Sequence, residues 1–141
     1  MASTDLLIHL EDSTLERLDT ESQRERQTRA ALAEIAIEEW LRMQAHPGIV
    51  FRPGPAGRRP ALAVGPDIWE FARVVQEVEG TEDETIERIA EFTFLTPHQA
   101  SIALRYYHEY RDEIDEDIRR RAESSERMRA AWLQEQAQLQ S

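Results

Sequence analysis

The chain has no cysteine and no lysine among its 141 residues. Without cysteine there is neither a disulfide framework nor a thiolate metal ligand. All 17 basic residues are arginine, set against 28 acidic ones, for a formal net charge of −11. No apolar run approaches the ~20 residues of a membrane span, so no membrane partner is expected. The opening residues, with Asp5 ahead of Leu6, have no basic stretch before an apolar core and do not read as a secretory signal. A cytoplasmic location is the expectation.

Catalytic signatures are missing as well. The four histidines, His9, His46, His98 and His108, share no helix face with carboxylates at ligand spacing, and no HExxH occurs. Ser13, Ser101, Ser124 and Ser125 lie in no nucleophile elbow. There is no glycine-rich phosphate cradle. No catalytic residue, metal ligand or cofactor is predicted, and an enzyme is not expected.

Glycine and proline are few but concentrated. Four of the 5 glycines and five of the 6 prolines fall between Pro47 and Pro66, and such punctuation separates modules. Three segments follow: 1–44, 45–118 and 119–141. In the first, Leu6, Ile8 and Leu10 alternate with Leu7 and His9 in a strand-like run. Asp12 or Ser13 can cap a helix carrying Leu15 and Leu18, and Thr28 can cap a second one. The second helix has Leu32, Ile35, Ala36 and Trp40 on one face, with Ala33, Ile37 and Leu41 beside it. About 44 residues cannot close their own core over so wide a stripe, so a second copy is expected to cover it.

Strand, helix, helix over Leu6 to Leu41, with Leu15-Glu16-Arg17-Leu18-Asp19, resembles the CopG-like ribbon-helix-helix fold. That resemblance implies an intertwined homodimer, or a higher even oligomer, whose outward strand residues Asp5, Leu7 and His9 face the major groove. It also places Thr28 and Arg29 at a helix N-terminus that can hold a phosphate. Where that fold commonly has glycine between its helices, this chain has Arg26.

In the second segment, Ile49–Arg52 and Pro60–Val64 predict a small hairpin with a basic tip at Gly54–Arg59. Thr85–Phe92 predicts a helix. Thr96 followed by Pro97 predicts the start of another, since proline at the first helical position sacrifices no hydrogen bond. Two helices and a tight turn outline a helix-turn-helix or an ordinary αα-hairpin. In the former, His98, Gln99 and Ser101 face bases, while Arg58, Arg59 and Arg105 touch phosphates.

Five runs, Gly57-Arg58-Arg59-Pro60-Ala61-Leu62-Ala63-Val64, Asp67-Ile68-Trp69-Glu70-Phe71, Leu95-Thr96-Pro97, Ala103-Leu104-Arg105-Tyr106-Tyr107 and Asp112-Glu113-Ile114-Asp115, together resemble the domain-of-unknown-function family numbered four-three-three. The resemblance covers roughly 48–118. Many members have Gly-Thr-Arg-Ile-Pro where this chain has Val64-Gly65-Pro66-Asp67-Ile68, so no role of that arginine is carried over. The family is associated with VapB-type antitoxins. The resemblance therefore implies an antitoxin that neutralises a toxin, typically a PIN-type ribonuclease, and binds its own operator DNA.

The charge distribution limits any DNA contact. Residues 45–66 carry Arg52, Arg58 and Arg59 and no acid, whereas the rest of the chain is acidic or balanced. DNA affinity rests on phosphate contacts to a basic face, so binding must be local. The alternative is a dimeric adaptor that binds a protein partner and no DNA. Past Asp115 the sequence predicts one long helix whose apolar stripe is interrupted by Arg121, Ser125 and Glu135. Met128, Trp132 and Leu133, with Arg127 and Arg129 beside them, form its apolar anchor and the expected partner-binding element. The fold class predicted is mainly α with short β pieces: a ribbon-helix-helix-like dimerisation module, a small helix-turn-helix-like domain with a β hairpin, and a long C-terminal helix.

Overall fold

The computed structural model describes residues 2–81 and 84–140. It is mainly helical, with one two-stranded sheet among the described residues. The chain divides into two compact units, Met1–Arg42 and Met43–Ser141.

In the first unit, α1 spans Asp12–Glu25 and α2 begins at Arg29 and runs to Ala45. α1 begins after Glu11 with no side-chain cap, so neither Asp12 nor Ser13 closes it as the sequence suggested. Thr28 does cap α2: its Oγ1 accepts from the Ala31 N–H at 3.0 Å. Arg26 takes the left-handed conformation, with φ 55°, and Gln27 N–H closes onto the Ser22 carbonyl at 3.0 Å. The turn thus keeps the geometry glycine favours without glycine, at a strain of about 1 kcal/mol. Arg29 reaches back across the turn to Asp19 with two hydrogen bonds of 2.9 and 2.8 Å. Residues 2–11 form neither helix nor ladder within the single chain.

Neither α1 nor α2 contains a buried residue. Leu6, Ile37, Trp40 and Leu41 are exposed, Trp40 by 57%. An apolar surface of this kind is what a chain presents when its cover comes from elsewhere.

The second unit starts from a hairpin. β1, Ile49–Arg52, pairs antiparallel with β2, Arg59–Leu62, in the register Ile49↔Leu62 and Arg52↔Arg59. The second strand ends two residues earlier than the sequence suggested, because Ala63–Pro66 turns the chain into the next helix. That helix, α3, spans Ile68–Val78. The sequence analysis assigns no element to this stretch, yet Ile68, Phe71, Ala72, Val75 and Val78 recur at helical spacing, and all five are buried.

α4, Ile86–Thr93, and α5, Pro97–Glu109, are the expected helix pair. Thr85 caps α4, accepting from Arg88 N–H at 3.2 Å. Phe94 ends it in the left-handed region at φ 59°. Thr96 and Gln99 form a capping box at the start of α5. α5 buries Ala100, Ala103, Tyr106 and Tyr107, so it is the central helix of the unit. α6 then runs unbroken over Arg111–Leu139; the expected division at 118/119 falls inside it.

The first turns of α6 lie antiparallel against α3. Arg111 pairs with Glu79, Gln76 Nε2 donates to Asp115 at 2.9 Å, and the Arg121 guanidinium stacks 4.5 Å from the Trp69 ring centre. Ile114 is buried in the core and Ile118 packs against it. His46 is buried too, bonded to Glu109 and edge-on to Tyr106 and Tyr110.

The full chain should have an even-multiple mass by light scattering, and Trp40→Glu should lower it, because that change places a charge in the apolar face. A stable wild-type monomer at micromolar concentration would contradict this. Tyr107, fully buried, donates to Asp115 at 2.6 Å. Burial first, then the Asp115 bond, raises its pKa to about 12 from 10.0. The folded state therefore holds the proton more tightly than the unfolded one. The stability from this group is complete below pH ~10 and is lost as pH rises to ~12. Tyr107→Phe should remove that component of alkaline unfolding, measured by denaturant titration across this window.

Candidate DNA and partner interfaces

The hairpin arginines, the most basic feature of the sequence, are turned onto their own fold. Arg59 pairs with Asp67 and donates to the Pro53 carbonyl at 2.7 Å. Arg52 donates to the carbonyls of Leu62, Ala63 and Gly65 at 2.9, 3.2 and 3.2 Å. Arg58 donates to the Phe51 carbonyl at 3.3 Å. Asp67, 7% exposed, also accepts from the Trp69 indole N–H at 3.2 Å. The basic tip expected to meet phosphate is therefore a pinned turn. Carbonyl ligation leaves a guanidinium its charge, but a phosphate would have to displace these bonds to gain bidentate contact.

The expected reading helix is likewise only partly free. Gln99 Oε1 accepts from Thr96 N–H at 3.0 Å, and its Nε2 donates to the Val64 carbonyl at 3.2 Å. Both ends of its amide are occupied, so Gln99 belongs to the turn. The outward face of α5 holds His98, Ser101 and Arg105, at positions three and seven residues on from His98. His98 and Arg105 are exposed and Ser101 is half-buried. Arg105 is the one permanent cation of this face.

In the first unit, His9 is exposed. Thr28 is engaged as the cap of α2. Arg29 is held by Asp19, whose hydrogen bond and charge push its pKa above the usual arginine value. Of the nine residues proposed for DNA, His9, His98, Ser101 and Arg105 present side chains without a described intramolecular bond, while the others are partners in the fold.

The tail is different. Beyond Arg121, α6 presents Met128, Trp132 and Leu133 with 71%, 57% and 50% exposure, and Arg127 and Arg129 are exposed beside them. Met128 and Trp132 are one helical turn apart, as are Arg129 and Leu133. The five expected partner residues thus lie together on a projecting helix. The described residues contain no group of three or more His, Asp or Glu arranged to hold a metal, and no helix long and apolar enough to cross a membrane.

Sequence reasoning missed Asp67 and Phe94. Asp67 was legible only as part of a run, because its partners are eight and fifteen residues away in sequence. Phe94, 96% exposed at positive φ, occupies a position where asparagine or glycine is usual. No protein-family model, curated protein or solved structure matches the chain.

Gln99→Ala should lower stability by ~0.5–2 kcal/mol through loss of the capping box, read by thermal unfolding. It should leave any operator sequence preference unchanged. Altered preference without loss of stability would return Gln99 to the reading surface.

Proposed function

We propose that the chain is an antitoxin. It neutralises a partner toxin by stoichiometric binding through the distal half of α6 and represses its own operon as a dimer. The observation that carries this reading is the projecting helix, on which Met128, Trp132 and Leu133 are exposed to solvent with Arg127 and Arg129 flanking Met128. Large exposed side chains on one turn of a rigid helix are the anchors of a helix-in-groove contact. A PIN-type ribonuclease, the expected toxin class, holds its metal in a cluster of carboxylates. An arginine delivered by the tail would pair with those carboxylates and occupy the metal position. No step of this mechanism is chemical.

Operator binding falls to the N-terminal module in this proposal. Its support is the engagement of Arg59 and Gln99 elsewhere, which leaves α5 only His98, Ser101 and Arg105 for a duplex. The N-terminal segment has His9 exposed, and backbone N–H groups at the start of α2 can receive a phosphate. The adaptor reading, without DNA, draws on the same arginine engagement together with the net charge of −11.

The test is co-expression with the product of the adjacent reading frame. The full chain should copurify with it and protect cells, and a truncation after Ala122 should still dimerise but do neither. Trp132→Ala should weaken the complex by about 2 kcal/mol or more. Protection by the truncated chain equal to that of the full one would overturn the assignment of the tail. A promoter gel shift at two salt concentrations decides between repressor and adaptor: no retardation at low salt favours the adaptor.

A further inference from the structure

The chain carries its sulfur in 3 methionines and no cysteine. Met1 lies outside the described residues. Met43 is half-buried near the end of α2. Met128 is 71% exposed on the distal half of α6, inside the anchor it forms with Trp132 and Leu133. A thioether is soft and readily oxidised, and in a chain with no thiolate to compete for oxidant its exposure governs how fast it reacts.

The turns around Met128 leave that sulfur open. Its neighbours three and four residues away are Ser124 and Ser125 on one side and Ala131 and Trp132 on the other. Three of these four are small, and both serines are exposed. A long side chain on a helix leans toward the N-terminus, over the turn before its own Cα. Met128 is thereby directed toward the serine pair, whose hydroxyls are hydrogen-bond donors. A thioether is a weak acceptor and makes little use of them. A sulfoxide oxygen is a strong acceptor and would.

We infer that Met128 is a reversible oxidation switch on the partner-binding helix, with a hydroperoxide as the oxidant. The inference rests on the antitoxin reading of α6 and adds its regulation. A sulfur lone pair attacks one peroxide oxygen. The S–O bond forms as the O–O bond breaks, so sulfur gives up two electrons and the peroxide is reduced. The departing hydroxide takes the proton of the transferred oxygen and leaves, from hydrogen peroxide, as water. In the reduced state Met128 enters an apolar groove beside Trp132. In the oxidised state its S=O group has two courses. It is buried without a donor, which disfavours the complex, or it turns back to accept from Ser124 or Ser125 and vacates the groove. Both weaken the same contact. Sulfoxide reductases, one for each epimer, restore the thioether.

The test treats the full chain with dilute hydrogen peroxide, removes the oxidant, and titrates the chain with the untreated product of the adjacent reading frame. Peptide mass spectrometry should find oxygen added at Met128 several-fold faster than at Met43. The Met128 sulfoxide should bind about ten-fold more weakly, and the two reductases together should return the starting affinity. Met128→Leu removes the sulfur: whatever its own affinity, peroxide should leave that affinity unmoved. Met43→Leu should respond to peroxide as the wild-type chain does. Equal oxidation at Met43 and Met128, or the same loss of affinity in peroxide-treated Met128→Leu, would overturn the proposal. A partner that fails to bind the untreated chain overturns the antitoxin reading and the switch with it. A partner that binds the thioether and sulfoxide forms alike overturns the switch alone.

Discussion

The second unit depends on the carboxylate of Asp67. A hairpin of two four-residue strands is not stable alone, and its outer face offers little to bury. Asp67, 7% exposed at the start of α3, accepts from Arg59 and the Trp69 indole and lies 3.8 Å from Arg52. It thereby ties both strands to the helical layer at one point. This also explains why Asp67 does not cap α3 with its side chain. Removing it would strand two guanidinium groups in a partly buried site, which is costlier than the loss of any single hydrogen bond there.

That anchoring has a functional consequence. An arginine-rich loop in an acidic chain invites a nucleic-acid reading, yet each guanidinium of this hairpin bonds to the backbone or to Asp67. The same trade recurs at Arg29 with Asp19 and at Gln99 with Thr96 and Val64. Residue types suited to phosphates and bases are also those suited to capping carbonyls and closing turns. Type and position alone do not separate the two uses.

Unsatisfied surface is distributed in the opposite sense. The core of the second unit is closed, with Tyr106, Tyr107, Phe71 and Ile68 all but fully buried. The helices of the first unit contain no fully buried residue, and α6 exposes Met128, Trp132 and Leu133 beyond the part that packs on its domain. Apolar area is left exposed at both places, and contiguous exposed apolar surface marks interaction sites in folded chains.

Local chemistry was enough to place several elements. Thr96-Pro97, Thr85 and Thr28 marked helix starts by their capping chemistry, and the Pro/Gly cluster marked the hairpin. The exposed Met128–Trp132 turn was visible because arginine, serine and glutamate interrupt the stripe around it. The α3 helix is equally visible in the spacing of Ile68, Phe71, Ala72, Val75 and Val78. What only the tertiary structure decided is the use of the polar side chains. Arg59 meets Asp67, Gln99 meets the Val64 carbonyl, and Asp115 meets Gln76 and Tyr107, across 8, 35, 39 and 8 residues of sequence. Capping is a contact between neighbours and is written in their order. These bonds join residues that become neighbours only after the core has closed, so no local pattern records them.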